Sequence, residues 1–219
     1  YELDHRSEKE FIKKRTGKLL VPSTLGLLVF WWILGYYNLL IGGGLEQMAA
    51  VPKPVLFIIM AVSGIGPLWY IQMLWIFSVL LVWVRRVEKD RLWKLGEKAD
   101  IPFLVLFAIV IWGAAQILNT PVVVVYRFGI YGAGFFVGYF VLSHDEVMDR
   151  LEKCWLPLVV CAVILAVVFA VMYWGRPYAE HSVLDTPLCS LFAWIAVIAV
   201  LAFMKKWGNI SNTFTRWMA

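Results

Sequence analysis

The run Cys154-Trp-Leu-Pro-Leu-Val-Val-Cys-Ala-Val-Ile-Leu-Ala-Val-Val-Phe-Ala-Val-Met-Tyr-Trp174 contains 21 residues and no charged side chain. The hydrocarbon core of a bilayer is about 30 Å thick, and a helix rising about 1.5 Å per residue needs about 20 apolar residues to cross it. This stretch therefore predicts one transmembrane helix. Five further stretches approach the same length and polarity, and we predict a span over each: Leu19–Ile41, Pro67–Val84, Ile101–Leu118, Tyr126–Leu142 and Pro187–Met204.

The composition of the whole chain agrees with these spans. Hydrophobic residues make up 62% of the 219 residues, against roughly 45–50% in soluble domains. The 12 Trp and 9 Tyr are the residues that collect where hydrocarbon meets lipid headgroups. No fixed-period repeat or long linker divides the chain. We predict an all-α fold: a polytopic transmembrane helical bundle of six spans, with residues 1–219 forming one domain.

A seventh apolar run, Val55–Val62, is too short to cross a bilayer alone and is followed by Ser63-Gly-Ile-Gly-Pro67. We interpret it as a short interfacial or re-entrant helix, because a backbone break at membrane depth must be shielded by protein. The alternative is that it crosses fully, which would place the basic block Arg85–Lys98 outside the cell.

The Lys and Arg residues alternate between the two sides of the predicted membrane. Six precede the first span and six lie in the block Arg85–Lys98, and the segments on that side hold 17 of the 20. By the positive-inside rule both ends face the cytoplasm, residues 1–18 form a cytoplasmic basic segment, and the loops of Lys53, Arg127 and Arg176 face outward. Because the cations form short blocks between apolar runs, membrane lipid and not nucleic acid is the expected partner.

Cysteine and metal chemistry are not indicated. The three cysteines lack metal-ligand or redox spacing and lie in or beside apolar runs, so we interpret them as small core residues. No metal motif, Walker A loop or nucleophile elbow occurs, and no bound cofactor is expected. Since Tyr1–Lys18 has no apolar signal region, we expect the chain to be an internal piece of a longer protein.

The first candidate site is the cationic segment from Phe11 to Pro22, which ends at the predicted membrane surface. One interpretation is an orientation anchor that attracts anionic lipid. The other is a cytoplasmic phosphate site, with Arg15 and Lys18 one helical turn apart and therefore on one face.

The second candidate site is the segment Gly64-Ile-Gly-Pro-Leu-Trp-Tyr-Ile-Gln-Met-Leu74. Its glycines allow a ligand or another backbone to come close, and Gln72 within the span needs a hydrogen-bond partner. Pro67, Trp69 and Gln72 are thus either acceptor-side residues or structural residues of an interfacial aromatic belt.

Three weaker patterns are interpreted structurally. Gly129, Gly132, Gly134 and Gly138 predict close helix packing, and Gln116 predicts a hydrogen bond between helices. His144 is interpreted as a solvated helix end. His181 and Asp185, one turn apart, suggest a base and the group that orients it, but no nucleophile accompanies them.

The motifs together resemble a known family. Phe11-x3-Arg15-x2-Lys18-x3-Pro22 before a span, then Gly66-Pro-Leu-Trp-Tyr-Ile-x2-Leu74, and the ending Asn212-Thr-Phe-Thr-Arg-Trp-Met218, are similar to the acyltransferase-3 family of multi-span membrane proteins. Lys18 departs from the family pattern, which usually has a second Arg there.

The resemblance implies about ten spans, an acyl donor such as acetyl-CoA taken from the cytoplasm, and O-acylation of a hydroxyl on a sugar or cell-surface glycan. It implies donor-binding roles for Arg15 and Lys18 and an acceptor-side role for the Pro67–Trp69 segment. The family's catalytic His lies on its first span, so we expect no catalytic residue in this piece and place that residue upstream of Tyr1. The first and last spans are then outside this chain, and a bacterial inner membrane is the expected location.

The alternative function is a membrane transporter or a flippase for glycan or lipid, without acyl-transfer chemistry. Ion-coupled transporters usually keep ionisable groups at mid-span, and no acidic residue lies in the middle of a predicted span. This difference favours the enzyme.

Overall fold

The computed structural model describes residues 7–48, 50–66, 68–117, 119–121, 125–177 and 181–208, and only the backbone of 119–121, 125–126 and 181–182. The chain divides into two compact units, Tyr1–Lys89 and Asp90–Ala219, which are treated separately below. Helices dominate both units.

The first unit starts with one long helix, Glu8–Ile41. It consists of α1 (Glu8–Arg15), a π-helical turn (Thr16–Leu20), α2 (Val21–Gly26), a second π-helical turn (Leu27–Trp31) and α3 (Trp32–Ile41). The helix begins 11 residues before the predicted start of the first span at Leu19, because Ser7 caps it by accepting a hydrogen bond from the backbone N–H of Glu10 at 3.4 Å. The cationic segment is therefore helical and continuous with the span.

Pro22 lies inside this long helix and not at its start. A proline in a helix lacks the N–H donor and clashes with the carbonyl four residues before it, here that of Lys18. The chain accommodates Pro22 by widening the preceding turn, Thr16–Leu20, into a π turn,. The Ser23 hydroxyl donates to the carbonyl of Leu19 at 2.7 Å, so a carbonyl of the distorted segment accepts a hydrogen bond from a side chain.

Three more helices complete the first unit: α4 (Gly44–Gln47), α5 (Lys53–Ser63) and α6 (Leu68–Glu88). α5 contains the predicted short apolar run and crosses α3 in close contact. A Cβ atom on Gly35 would lie 1.6 Å from the carbonyl oxygen of Met60, and one on Gly64 would lie 2.0 Å from that of Trp31. The break after α5 is thus covered by the backbone of the first helix.

The second unit contains seven helices and one short hairpin in its described part. In chain order they are α7 (Arg91–Glu97), α8 (Ile101–Gln116), β1 (Asn119–Pro121), β2 (Val125–Arg127), α9 (Phe128–Phe140), α10 (Asp145–Lys153), α11 (Trp155–Met172), α12 (His181–Leu184) and α13 (Pro187–Trp207). β1 and β2 pair antiparallel, with Thr120 opposite Tyr126.

Within the described residues, four helices are long and apolar enough to cross a membrane: Glu8–Ile41, Leu68–Glu88, Trp155–Met172 and Pro187–Trp207. The other two predicted spans correspond to the shorter apolar helices α8 and α9, of 16 and 13 residues. α8 ends at Gln116 and Ile117 is extended, and the predicted span end at Leu118 lies outside the described residues. Tyr126, the predicted start of the next span, belongs to β2, since β-branched and aromatic residues such as Val125 and Tyr126 favour extended backbone.

Side-chain contacts fix the directions of the helices in the second unit. The Trp194 indole on α13 donates to the carbonyl of Leu104 near the start of α8 at 2.7 Å, whereas Gln116 at the end of α8 donates to the carbonyl of Asp185 before α13 at 3.1 Å. These helices are therefore antiparallel.

One end of the second unit is rich in ion pairs. Lys205 and Lys206 on α13 pair with Asp149 and Glu152 on α10, each at 3.3 Å. Arg150 on α10 donates to the carbonyl of Ala99, just before α8, at 2.9 Å. The basic residues of α7, α10 and α13 thus share one end, and Arg127 lies at the other.

Candidate functional site

The basic end of the first helix is the candidate donor-binding surface. Phe11 is buried, and its ring carries the Arg15 guanidinium, whose Cζ atom lies 5.2 Å from the ring centroid. An aromatic face attracts a cation at this distance. Arg15 is half-buried, whereas Lys18 is exposed. Phe11 therefore helps to hold the Arg15 side chain in place.

Helix α6 runs antiparallel to this end and fixes it. The Trp75 indole donates to the Thr16 hydroxyl at 2.9 Å, and that hydroxyl donates to the carbonyl of Ile12 at 2.8 Å. Arg86, near the end of α6, forms an ion pair with Glu8. The segment from Glu8 to Thr16, which contains Arg15, is therefore held by α6 at both of its ends.

These contacts place Arg15 beside an apolar part of its neighbour. Arg15 precedes Thr16, which lies at the level of Trp75, and ten residues separate Trp75 from the first basic residue of α6, Arg85. Ten helical residues span about 15 Å. Arg15 is thus displaced along α6 from its basic end toward its apolar part.

The π turn changes how Arg15 and Lys18 relate to each other. In a regular α-helix, residues three apart are neighbours on one face. Lys18 lies within the π turn Thr16–Leu20, which has a wider i to i+5 repeat,. Arg15 is half-buried and packs on the Phe11 ring, whereas Lys18 is exposed.

The predicted acceptor-side residues lie at the other end of α6. Trp69 is half-buried and packs edge to face on Tyr70, with ring centroids 6.0 Å apart, and Gln72 is half-buried one turn before Trp75. Pro67 lies outside the described residues. Leu68 contacts the position of Gly26, ten residues beyond Thr16. The structure therefore places Trp69 about 15 Å along the first helix from Arg15.

The glycines of the two predicted motifs behave differently. Gly64 and Gly66 lie against Trp31, Gly64 on its carbonyl and Gly66 on its ring, so another part of this chain, and not a ligand, occupies the space that they leave. Gly129 packs on the carbonyls of Ala114 and Ile117, as predicted. The close packing predicted for Gly134 and Gly138 is wrong among the described residues, since nothing lies within 4 Å of a Cβ at either position.

A polar cluster in the second unit was not identified from the sequence. Arg127 pairs with the carboxylate of Asp185 at 2.9 Å, with side chains only 13% and 29% exposed. Trp112 and Gln116 both donate to the carbonyl of Asp185, at 3.0 and 3.1 Å. Gln116 thus bonds outside its own helix, as predicted, but its partner is the turn that precedes α13 and not a second helix. Arg127 and Asp185 are 58 residues apart, and only their opposite charges in two predicted outer loops could have indicated the pair.

His144 is not the solvated helix end that the sequence suggests. It is 6% exposed, its Nε2 lies 3.1 Å from the carbonyl oxygen of Phe140, and its ring centroid lies 4.2 Å from that of Trp93. The side chain of His181 lies outside the described part. Among the described residues, no group of three His, Cys, Asp or Glu side chains could hold a metal ion.

Comparison with known proteins gives one match. The family model described as an acyltransferase domain, Acyl_transf_3, matches residues 2–219. No curated protein and no solved structure matches the chain. The apolar helices and this match together indicate an integral membrane protein with acyltransferase ancestry. Because the match covers nearly every residue, the chain belongs to the acyltransferase-3 family.

Proposed function

We propose that this chain is part of an integral membrane O-acyltransferase that moves an acyl group, in the first place acetyl, from acyl-CoA to a hydroxyl of a sugar or cell-surface glycan. Family membership supports the transfer chemistry. The observation that supports the donor site is the position of Arg15. Its guanidinium packs on the Phe11 ring, and the residue lies away from the basic end of α6, toward the apolar part of that helix.

Arg15 and Lys18 bind the phosphates of the donor in this proposal. A guanidinium presents paired N–H donors in a fixed plane that matches phosphate oxygens, whereas an ammonium acts as a point charge. Arg15 therefore orients the donor, and the exposed Lys18 attracts it. Trp69 and Gln72, with Pro67, shape the acceptor side.

The reaction is a substitution at the thioester carbonyl. A general base removes the proton of the acceptor hydroxyl, and the oxygen attacks the carbonyl carbon. The C–S bond breaks, an ester forms, and the thiolate of CoA leaves and takes up a proton. Donors around the carbonyl oxygen stabilise the developing negative charge. Among the described side chains, His144 is not placed to be this base, because it is buried with Nε2 3.1 Å from a backbone carbonyl oxygen.

The proposed topology has six spans, with both ends of the chain in the cytoplasm of a bacterium and the protein in its inner membrane. Two observations support it. The ion pair between Glu8 and Arg86 brings together the basic ends of the first and second spans. The basic residues of α7, α10 and α13 share one end of the second unit, opposite Arg127.

The experiment compares Arg15→Ala, Arg15→Lys and Lys18→Arg in the purified protein that contains this chain, with transfer from acetyl-CoA as the readout. A hydrogen bond to a charged group is worth about 1.5–3 kcal/mol, so Arg15→Ala should lower kcat/KM for acetyl-CoA by about 10- to 150-fold. Arg15→Lys should recover part of this loss, and Lys18→Arg should retain activity.

Lys9→Ala is the matched control, because Lys9 is an exposed cation on the same helix two turns away. It should change kcat/KM less than about threefold, in line with a screened surface charge. Equal effects of Arg15→Ala and Lys9→Ala would show that the segment is only an electrostatic anchor. Detergent-solubilised thermal unfolding of each variant separates loss of donor binding from loss of structure.

A further inference from the structure

An apolar groove in the second unit lies beside a short basic helix. It has a volume of about 310 Å³ and is lined by α7, the start of α8 and the end of α9, chiefly by Leu92, Leu95, Phe103, Phe107 and Phe136. Grooves that bind small molecules start at about this volume. Leu92, Leu95 and Phe103 remain 46%, 62% and 49% exposed, so the groove is open to its surroundings.

Packing of α7 against α9 fixes the wall of this groove. A Cβ atom on Gly96 would lie 1.8 Å from the carbonyl oxygen of Phe140, so the two backbones touch. The Trp93 ring packs on Tyr139 and His144, with centroids 5.2 and 4.2 Å apart. The groove is therefore preformed and does not depend on a movable loop.

The charges of α7 border one side of the groove. With about 100° between successive residues, Leu95 follows Arg91 by about 40° around the helix, and Lys98, at the end of α7, lies about 20° from Arg91 on its other side. Lys94 and Glu97 lie farther round, away from the leucines. Arg91 and Lys98 are both exposed. An apolar surface with adjoining cations is the pattern of helices that lie in the headgroup region of anionic membranes.

We propose that this groove holds one acyl chain of an anionic phospholipid, with its phosphate beside Arg91 and Lys98. The almost entirely apolar lining accepts the hydrocarbon, and the cations select the headgroup charge. The basic end of the second unit contains α7, so the lipid belongs to the leaflet at that end. The proposal uses residues of the second unit alone and does not depend on the proposed reaction.

Native mass spectrometry of the purified protein tests the proposal, with phosphatidylglycerol and phosphatidylcholine of identical chains as probes. The wild type should retain phosphatidylglycerol at least tenfold more strongly. Each basic residue at a membrane surface is worth roughly fivefold in lipid binding, so Arg91→Gln with Lys98→Gln should weaken retention roughly thirtyfold. Leu95→Trp, at an exposed position in the groove, should also displace the lipid while leaving the charges intact.

The matched control is Lys9→Gln with Lys153→Gln, which removes two exposed cations outside the groove. It should retain phosphatidylglycerol as the wild type does. Equal retention of both lipids, or equal loss in the control, would overturn the proposal. Displacement of phosphatidylglycerol by equimolar palmitoyl-CoA would also overturn it, because the groove would then bind the acyl donor and not a membrane lipid.

Discussion

Replacing Gly35 by Ala tests the contact between α3 and α5 most directly. The new Cβ would lie 1.6 Å from the carbonyl oxygen of Met60, whereas ordinary contact begins at 3.4 Å, so the two backbones must separate by about 1.8 Å. Neither backbone can move away as a flexible side chain would. Overpacking costs about 1–3 kcal/mol, and more when the backbone must shift. We expect a loss of at least about 3 kcal/mol.

Thermal unfolding of the purified protein in detergent measures this loss. For a chain of this size 1 kcal/mol corresponds to about 2–4 °C, so Gly35→Ala should lower Tm by about 6–12 °C. Gly134→Ala is the control, because Gly134 is also in a helix but has nothing within 4 Å of its Cβ position. Ala is favoured over Gly in a helix by about 0.5–1 kcal/mol, so Tm should stay or rise slightly. Equal destabilisation by both substitutions would refute the packing described for the two glycines.

Three further predictions concern single contacts. Arg127→Gln or Asp185→Asn should each lower the free energy of unfolding by about 1–2 kcal/mol, less than the loss of one partner of a fully buried pair. Exchanging the two residues, Arg127→Asp with Asp185→Arg, should restore part of the loss in Tm. Trp75→Phe removes the hydrogen bond to Thr16 and should cost about 1 kcal/mol, with no additional loss when Thr16→Val is combined with it. Trp194→Phe removes a buried hydrogen bond of 2.7 Å and should cost about 1–3 kcal/mol; a change in Tm below about 1 °C would contradict this.

The helical membrane fold was predictable because it depends on local composition. The uncharged run at Cys154–Trp174 became the helix Trp155–Met172, and Pro102, Pro157 and Pro187 lie in the first turns of their helices. Proline fits there because the first N–H groups of a helix have no partner within it. The short run Val55–Val62 also formed its own helix, Lys53–Ser63.

Element ends were less predictable where two local preferences compete. At Leu19 the polarity changes abruptly, which suggests the start of a span, yet the charged residues before it also favour helix and continue it back to Glu8,. At Tyr126, the predicted start of a span, hydrophobicity favours a span and the aromatic side chain favours extended backbone, and the residue belongs to β2.

Tertiary contacts could not be derived from one sequence. Gly64 and Gly134 are both glycines in apolar surroundings, but only Gly64 has a backbone against it. The bond from Trp75 to Thr16 joins residues 59 apart, and the burial of His144 depends on Trp93 from another helix. Arg15 and Lys18 could be named from the sequence as candidate donor-binding residues, but the position of Arg15 beside the apolar part of α6 could not be predicted from it.

The shortness of α8 and α9 affects the membrane around them. As spans, their 16 and 13 residues would cover about 24 and 20 Å of a hydrocarbon layer about 30 Å thick. A bilayer responds to such hydrophobic mismatch by thinning, at a cost of a fraction of a kcal/mol per Å. The hydrocarbon layer beside these helices would then be thinner by about 6–10 Å. The aqueous phases on the two sides of the membrane would lie closer together at this unit, and the thickness of the bilayer would affect the stability of the protein.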